Sequence, residues 1–313
     1  MRKLLMAVVM GTLLILAACG GEKSASGDDG NNGDDKLQIV TSFTIIKDLA
    51  EEIGGDLVEV HNLVPTGTDP HNYEPLPEDI KHATDADVLF YNGMNLEGGK
   101  EGWFFKMINS VGQDKDNVFS VTDGIDPMYI GGGDKKKEVN PHAFIDPSAG
   151  VQMAENIRDA IIEVDPDREE QYKEEAAAYI DKLKTIEKDY EKKLSEIPED
   201  DRIIVTSERA FQYLADSYDL KEGFVFEIDT EENGTPEQIK NLVSFVEDND
   251  APALFVESNV DPRPMETVSQ ESGIPIYDKP IYSDEIEEEG GEVDTYVKYL
   301  NYNLDILYDG LTR

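Results

Sequence analysis

From Lys36 onward, short runs of β-branched and aliphatic residues alternate with stretches of helical periodicity. Leu37-Gln38-Ile39-Val40-Thr41 reads as a strand, and Ile45 to Ile53, closed by Gly54-Gly55, as a helix. Leu57 to Val64 and Val88 to Tyr91 follow as strands, with Glu78 to Ala86 a helix between them. The scheme recurs after residue 200: strand Ile203 to Thr206, helix Ala210 to Ser217, strand Phe224 to Phe226, then a helix from Pro236. Thr235, Pro236 and Gln238 start that last helix with a capping box and a proline at the first helical position, where its missing N–H costs nothing. Ala253 to Val256 and Ile274 to Tyr277 complete the expected strands. Strands alternating with helices indicate parallel βαβ units rather than a sandwich.

Between the two sets lies the clearest periodicity in the chain: Tyr172, Ala176, Tyr179, Leu183, Ile186, Tyr190, Leu194 and Ile197 recur every three or four residues. One amphipathic helix from Arg168 to Ile197 would run ~45 Å, enough to cross a two-lobed protein end to end. The predicted fold is therefore α/β in two lobes, each a parallel sheet flanked by helices, joined by one long spine helix. The expected boundaries are an N-terminal lobe over 37–167, a linking helix over 168–198 and a C-terminal lobe over 199–313. A single stiff connection allows only small lobe movements, which suits a small ligand held by direct bonds.

The first residues follow a different logic. Arg2 and Lys3 precede an apolar run from Leu4 to Ala18, the layout of a secretory signal over residues 1–18. That run is shorter than the ~20 residues needed to span a bilayer. Leu16-Ala17-Ala18-Cys19 resembles the bacterial lipobox, which implies that Cys19 is lipidated and begins the mature chain. Two acyl chains would anchor it stably to a membrane. Residues 19–36 contain Gly27-Asp28-Asp29-Gly30-Asn31-Asn32-Gly33-Asp34-Asp35 and nothing able to form a core, so they read as a tether. Cys19 is the only cysteine. The folded part, about 277 residues, therefore has neither a disulfide nor a thiolate ligand and must rely on an ordinary core.

The formal charge of −40 becomes −42 without the signal, which carries Arg2 and Lys3 and no acid. Nucleic acid is excluded as a partner, and so is a bilayer bound through a basic patch. Acids are spread along the whole chain, and a high-salt habitat explains the excess better than a cation-collecting site, because salt screens the self-repulsion.

The chain has four histidines, two of them in similar turns: Asp69-Pro70-His71-Asn72 and Asn140-Pro141-His142-Ala143. A proline before each fixes the local backbone and would hold an imidazole in one orientation for coordination. His61, in a strand, and His82, in a helix, lack that context and read as structural or surface residues.

These segments and their order resemble the metal-binding lipoproteins of manganese and zinc ABC importers. The resemblance runs from Leu37 onward and is carried by Val64-Pro65 with Asp69-Pro70-His71, Tyr91-Asn92-Gly93 with Asn95-Leu96-Glu97, Pro141-His142 with Asp146-Pro147, and Val205-Thr206-Ser207-Glu208. Glu227-Ile228, Thr230 to Gln238, Phe255 to Ser258 and Arg263-Pro264-Met265 agree with the manganese branch. The resemblance implies four metal ligands, His71 and His142 from the first lobe and Glu208 and Asp284 from the second. Among 68 acids, composition does not single out the two carboxylates. Glu208 also reads as a first-turn helix acid, and Asp278 and Glu285 flank Asp284 closely.

Two neutral imidazoles and two carboxylates balance a divalent cation, and their oxygen content favours Mn2+ over Zn2+, with Fe2+ admitted. The zinc branch has a histidine-rich loop, whereas Gly131 to Glu138 holds no histidine. The expected role is an extracytoplasmic solute-binding lipoprotein, a monomer, that hands metal to an ABC permease and is anchored to the membrane. The rivals are a zinc or iron(II) carrier of the same type and a surface adhesin. A metallohydrolase is disfavoured, since no His-Glu-x-x-His helix, nucleophile elbow or phosphate loop is found.

Overall fold

The computed structural model describes residues 36–131, 138–228 and 234–313. The expected signal segment, Cys19 and the tether up to Asp35 lie outside the described residues, as do most of the Gly131 to Glu138 loop and residues 229–233 of the manganese-type motif.

Strand β1 (Leu37–Phe43) carries Leu37, Ile39 and Phe43 on one face and Val40 on the other, and is buried almost throughout, as the inner strand of a parallel sheet requires. It leads through helix α1 (Thr44–Gly54) to β2 (Val58–Val64), then through α2 (Pro77–Asp85) to β3 (Val88–Tyr91). Helix α3 (Trp103–Val111) and the short strand β4 (Val118–Ser120) complete a four-stranded parallel sheet of order β2-β1-β3-β4. Val40 pairs with His61 on one side and Leu89 on the other, so β1 lies at the sheet's centre. The loops leaving the carboxyl ends of β2 and β3 open on the same edge, where ligands of α/β sheets bind.

A small antiparallel pair, β5 (Tyr129–Ile130) and β6 (Glu138–Val139), precedes helix α4 (Pro147–Val164). Helix α5 (Glu169–Glu196) is the predicted spine, 28 residues long and thus ~42 Å. Tyr172, Ala176, Tyr179, Leu183, Ile186, Tyr190 and Leu194 are all buried, so the periodic stripe is the buried face. That face packs against α1, α4 and the last helix, α9 (Tyr296–Leu311). The tyrosines on it need partners for their hydroxyls. Tyr179 donates to Asp48 Oδ2 at 3.1 Å, and Tyr190 to the Leu300 carbonyl at 2.6 Å.

The second half begins with β7 (Ile203–Glu208), short helix α6 (Gln212–Ser217) and β8 (Lys221–Phe226), which pairs in parallel with β7. Helix α7 (Pro236–Asp248) starts with the expected capping box at Thr235 and Gln238. Helix α8 (Arg263–Ser272) packs on it. The expected strands Ala253–Val256 and Ile274–Tyr277 form only a single bridge, Leu254 to Ile276, and a second joins Glu257 to Ile281 just beyond them. Pro275 and Pro280 remove two of the N–H donors a continuous ladder would use. The segments still extend the sheet: Phe255 N–H donates to the Val205 carbonyl at 2.8 Å, and Ile281 N–H to Val256 at 2.9 Å.

One apolar cluster joins β1 and α1 to α4, α5 and α9 and reaches Ile204, Leu214 and Phe255 of the second half. A smaller cluster lies between the β7–β8 pair and helices α7 and α8. Lys36 to Arg313 forms one unit, with the spine at the centre of its main core. Among the described residues, no helix is long and apolar enough to cross a membrane.

Candidate metal centre

His71 lies in the loop after β2. Its N–H donates to Asp69 Oδ1 at 2.8 Å, a local turn, and the carbonyl of Pro70 accepts from Trp103 Nε1 at 2.8 Å. The residue as a whole is partly exposed, but Nε2 of its imidazole is buried without a hydrogen bond.

His142 opens a helical turn that runs from His142 to Ile145 and is wholly buried. Its Nδ1 lies 2.7 Å from Asn140 Oδ1, an oxygen that can only accept, so Nδ1 carries the proton and Nε2 keeps its lone pair for coordination. Asn140 in turn donates through Nδ2 to the carbonyl of Arg209 at 2.8 Å and to Gln212 Oε1 at 3.0 Å. The residue that orients His142 is thereby fixed to the chain just after Glu208.

Glu208 is the last residue of β7 and fully buried. Ser207 and Glu208 donate their N–H groups to the two oxygens of Glu257, at 3.1 and 2.8 Å. Glu97 does the same in the first half, accepting from the N–H groups of Asn92 and Gly93 beyond β3. Burial pushes both glutamates up to about 7, against the pull of these donors.

Asp284 sits in the loop after the irregular strand at Ile281. Helix α9 grips this loop: Tyr299 donates to the Ser283 carbonyl at 2.8 Å, and Asn303 brackets Tyr282 through both its N–H and its carbonyl. The same loop is stapled to the first half. Gly67 N–H donates to Glu285 Oε2 at 2.5 Å, Thr66 Oγ1 to the Ile286 carbonyl at 2.9 Å, and Ile286 N–H to Thr44 Oγ1 at 3.1 Å. The loops that carry His71 and Asp284 are therefore tied directly to one another.

His71, His142, Glu208 and Asp284 converge so that one ligand atom from each lies within 4.8 Å of the others. An ion with bonds of about 2.1 Å would have tetrahedral ligand edges near 3.4 Å, so modest contraction or added carboxylate oxygens closes the shell. His142 Nε2 is 3.3 Å from Asp284 Oδ1 and 3.7 Å from Glu208 Oε1, and the two imidazole rings meet edge-on with centroids 5.3 Å apart. Burial holds the His71 imidazole below the ordinary histidine range, which keeps it neutral and able to coordinate. Buried, unbonded atoms such as His71 Nε2, His142 Nε2 and Asp284 Oδ1 are costly in a packed interior, and a cation at their centre would satisfy them together.

His61 and His82 lie elsewhere, stacked on one another with centroids 3.9 Å apart. Asn140, Glu257, Tyr299 and Asn303, which orient the four converging residues or their loops, were not singled out from the sequence. Asn140 alone had a local signal, two residues before His142. Glu257 acts on a segment 49 residues away.

The chain matches the family model described as zinc-uptake complex component A, periplasmic, over residues 39–310. It is 42% identical over 308 residues to the metal ABC transporter substrate-binding lipoprotein SsaB of Streptococcus sanguinis, covering 96% of this chain and 98% of that one. Identity is also 42% over 300 residues to the manganese ABC transporter substrate-binding lipoprotein ScaA of Streptococcus gordonii, 95% of each chain. A solved structure of the Mn-bound periplasmic metal binding protein from Candidatus Liberibacter asiaticus superposes with a TM-score of 0.76 at 26% identity, covering 88% of this chain and all of that one.

Proposed function

Since the chain belongs to the family of zinc-uptake complex component A, the substrate-binding proteins of metal ABC transporters, we propose that it is an extracytoplasmic lipoprotein that captures a divalent transition metal ion and hands it to a membrane permease. The observation that carries the reading is the convergence of His71, His142, Glu208 and Asp284. In this reading the four side chains are the ligands, and the ion is cargo. Each half of the chain supplies two, and the spine holds the halves together as N-terminal and C-terminal lobes. Cys19 is the acylated residue, and residues 20–36 tether the folded part above the membrane. The protein acts as a monomer.

Mn2+ is the preferred cargo. The donor set offers two imidazole nitrogens and up to four carboxylate oxygens, a harder and more expandable shell than a His/Cys tetrahedron. Relatives named for manganese support the choice. Zn2+ would still bind tightly in isolation, because it stands above manganese in the Irving–Williams order. The role is capture rather than catalysis. Four protein groups meeting at one point suit whole-ion binding better than a catalytic centre, which keeps a position for water.

Calorimetric titration with Mn2+ tests the ligand set. His71→Ala, His142→Ala, Glu208→Ala and Asp284→Ala should each weaken binding by about 100-fold or more, since loss of a ligand exceeds the 10–100-fold typical of outer partners. An Asp284→Ala protein that binds normally would move the fourth ligand elsewhere in the last loop.

A further inference from the structure

The loop from Pro65 to Leu76 carries His71 but forms no regular secondary structure, so something must fix the imidazole's position. Within its own half of the molecule two anchors do so. On one side Trp103 holds the Pro70 carbonyl. On the other, Asp79 collects the loop's end: its Oδ2 accepts from the Tyr73 hydroxyl at 2.8 Å and from Leu76 N–H at 2.7 Å. Tyr73 packs edge-on against Trp103 with centroids 5.3 Å apart, closing the bracket around His71. Burial and the Asp79 bond push the Tyr73 phenol upward, so it remains a donor.

Asp79 is 2% exposed, and its second oxygen, Oδ1, meets His61 Nε2 at 2.8 Å. A carboxylate is oriented when both oxygens are engaged from fixed elements. Here β2 supplies His61, α2 supplies Asp79 itself, and the loop supplies Tyr73 and Leu76. Without the imidazole N–H, Oδ1 would be buried and unpaired, and the carboxylate would be free to turn away from the loop.

We propose that His61, though not a ligand, is a positioning residue for metal capture, acting through Asp79 and the Tyr73–Leu76 anchor to fix His71. The inference rests on the reading of His71 as a ligand. His82 stacks on His61 from the solvent side and takes no part in the relay.

The test is Mn2+ titration of the whole mature chain carrying His71→Ala, His61→Ala, His61→Gln or His82→Ala, with chelator-capture rates and Mn2+ paramagnetic resonance spectra of the loaded forms. H61A should bind about 10-fold or more weakly, the cost typical of outer-shell partners, release metal faster and show an altered spectrum. H61Q, whose amide N–H can reach Asp79, should recover most of the affinity and the original spectrum. H82A should bind like the unaltered protein. Should H61A fail to fold, His61→Asn, whose shorter amide does not reach Asp79, replaces it against H61Q. The positioning role is overturned if the variant without the bond binds normally, if folded H61Q recovers nothing, or if H82A loses as much. Normal binding by H71A would instead sink the ligand assignment itself.

Discussion

Asp48, on α1, lies under the spine, and burial pushes its carboxyl from 3.8 to about 6 against the bonds it accepts. Both bonds end on one oxygen: Oδ2 accepts from Tyr179 Oη and from Tyr296 N–H. The folded state therefore holds the Asp48 proton more tightly than the unfolded state. Its stabilising contribution is complete below pH 3.8 and is lost as pH rises through about 6. Asp48→Asn keeps an oxygen for both donors and never ionises. Metal-free Asp48→Asn protein should match the parent at acid pH and melt higher at pH above about 6, with a flatter slope between. Parallel melting curves for the two proteins across that window would contradict the assignment. At this scale the sequence was only partly legible. His71 and His142 stood out because each follows a proline in a polar turn, and histidines are few. Glu208 and Asp284 stood out only through the resemblance, because their chemistry is shared by 66 other acids. Asn140 and Glu257 are ordinary polar residues until tertiary contacts give them partners 69 and 49 residues away.

Among the elements, the spine was the most legible. A buried stripe every three or four residues is a local property, and acids in its first turn with Lys193 in its last suit the helix dipole. Its bounds in the structure, Glu169–Glu196, fall within a residue of those expected at either end. The capping box of α7 was equally local. Segments 253–256 and 274–277 were harder, since their β-branched residues are right for strands while neighbouring prolines limit pairing to a single bridge. The expected elements did not include helices α3, α4, α8 and α9, although α9 is periodic: Tyr296, Tyr299, Leu300, Asn303, Leu304, Leu307 and Leu311 line its buried face every three or four residues, opposite the exposed Lys298, Asn301, Asp305 and Asp309. Leu183, at mid-spine, is fully buried. Leu183→Ala should cost about 2–5 kcal/mol in urea denaturation, from lost burial and the cavity left behind. Because the spine's core reaches both halves, the loss should lower a single unfolding transition. Two separated transitions would mean that the halves are stabilised independently.

For the molecule as a whole, charge is the dominant fact. With 68 acids against 28 basic residues, much of the surface repels itself. The ion pairs that relieve this, such as Lys47–Glu51, Lys173–Glu169 and Lys298–Asp294, are partly solvent-exposed and individually weak. Raising NaCl from about 0.01 M to about 1 M shortens the screening length from ~30 to ~3 Å and should raise the melting temperature of the metal-free protein. A melting temperature that falls over the same range would show that ion pairs outweigh the repulsion.

The stapling of the Asp284 loop to Thr44, Thr66 and Gly67 also bears on when metal can be taken up. The four converging side chains are spread over some two hundred positions, and the last of them is placed by a helix near the carboxyl terminus. A chain threaded through a secretion channel, or one still emerging from it, has His71 and His142 but neither the strand end that presents Glu208 nor the loop that presents Asp284. Such a chain holds only isolated imidazoles, which grip an ion weakly. The ligand set is thus a property of the completed fold rather than of any segment: it closes only when the last helix has docked and holds the loop that carries Asp284.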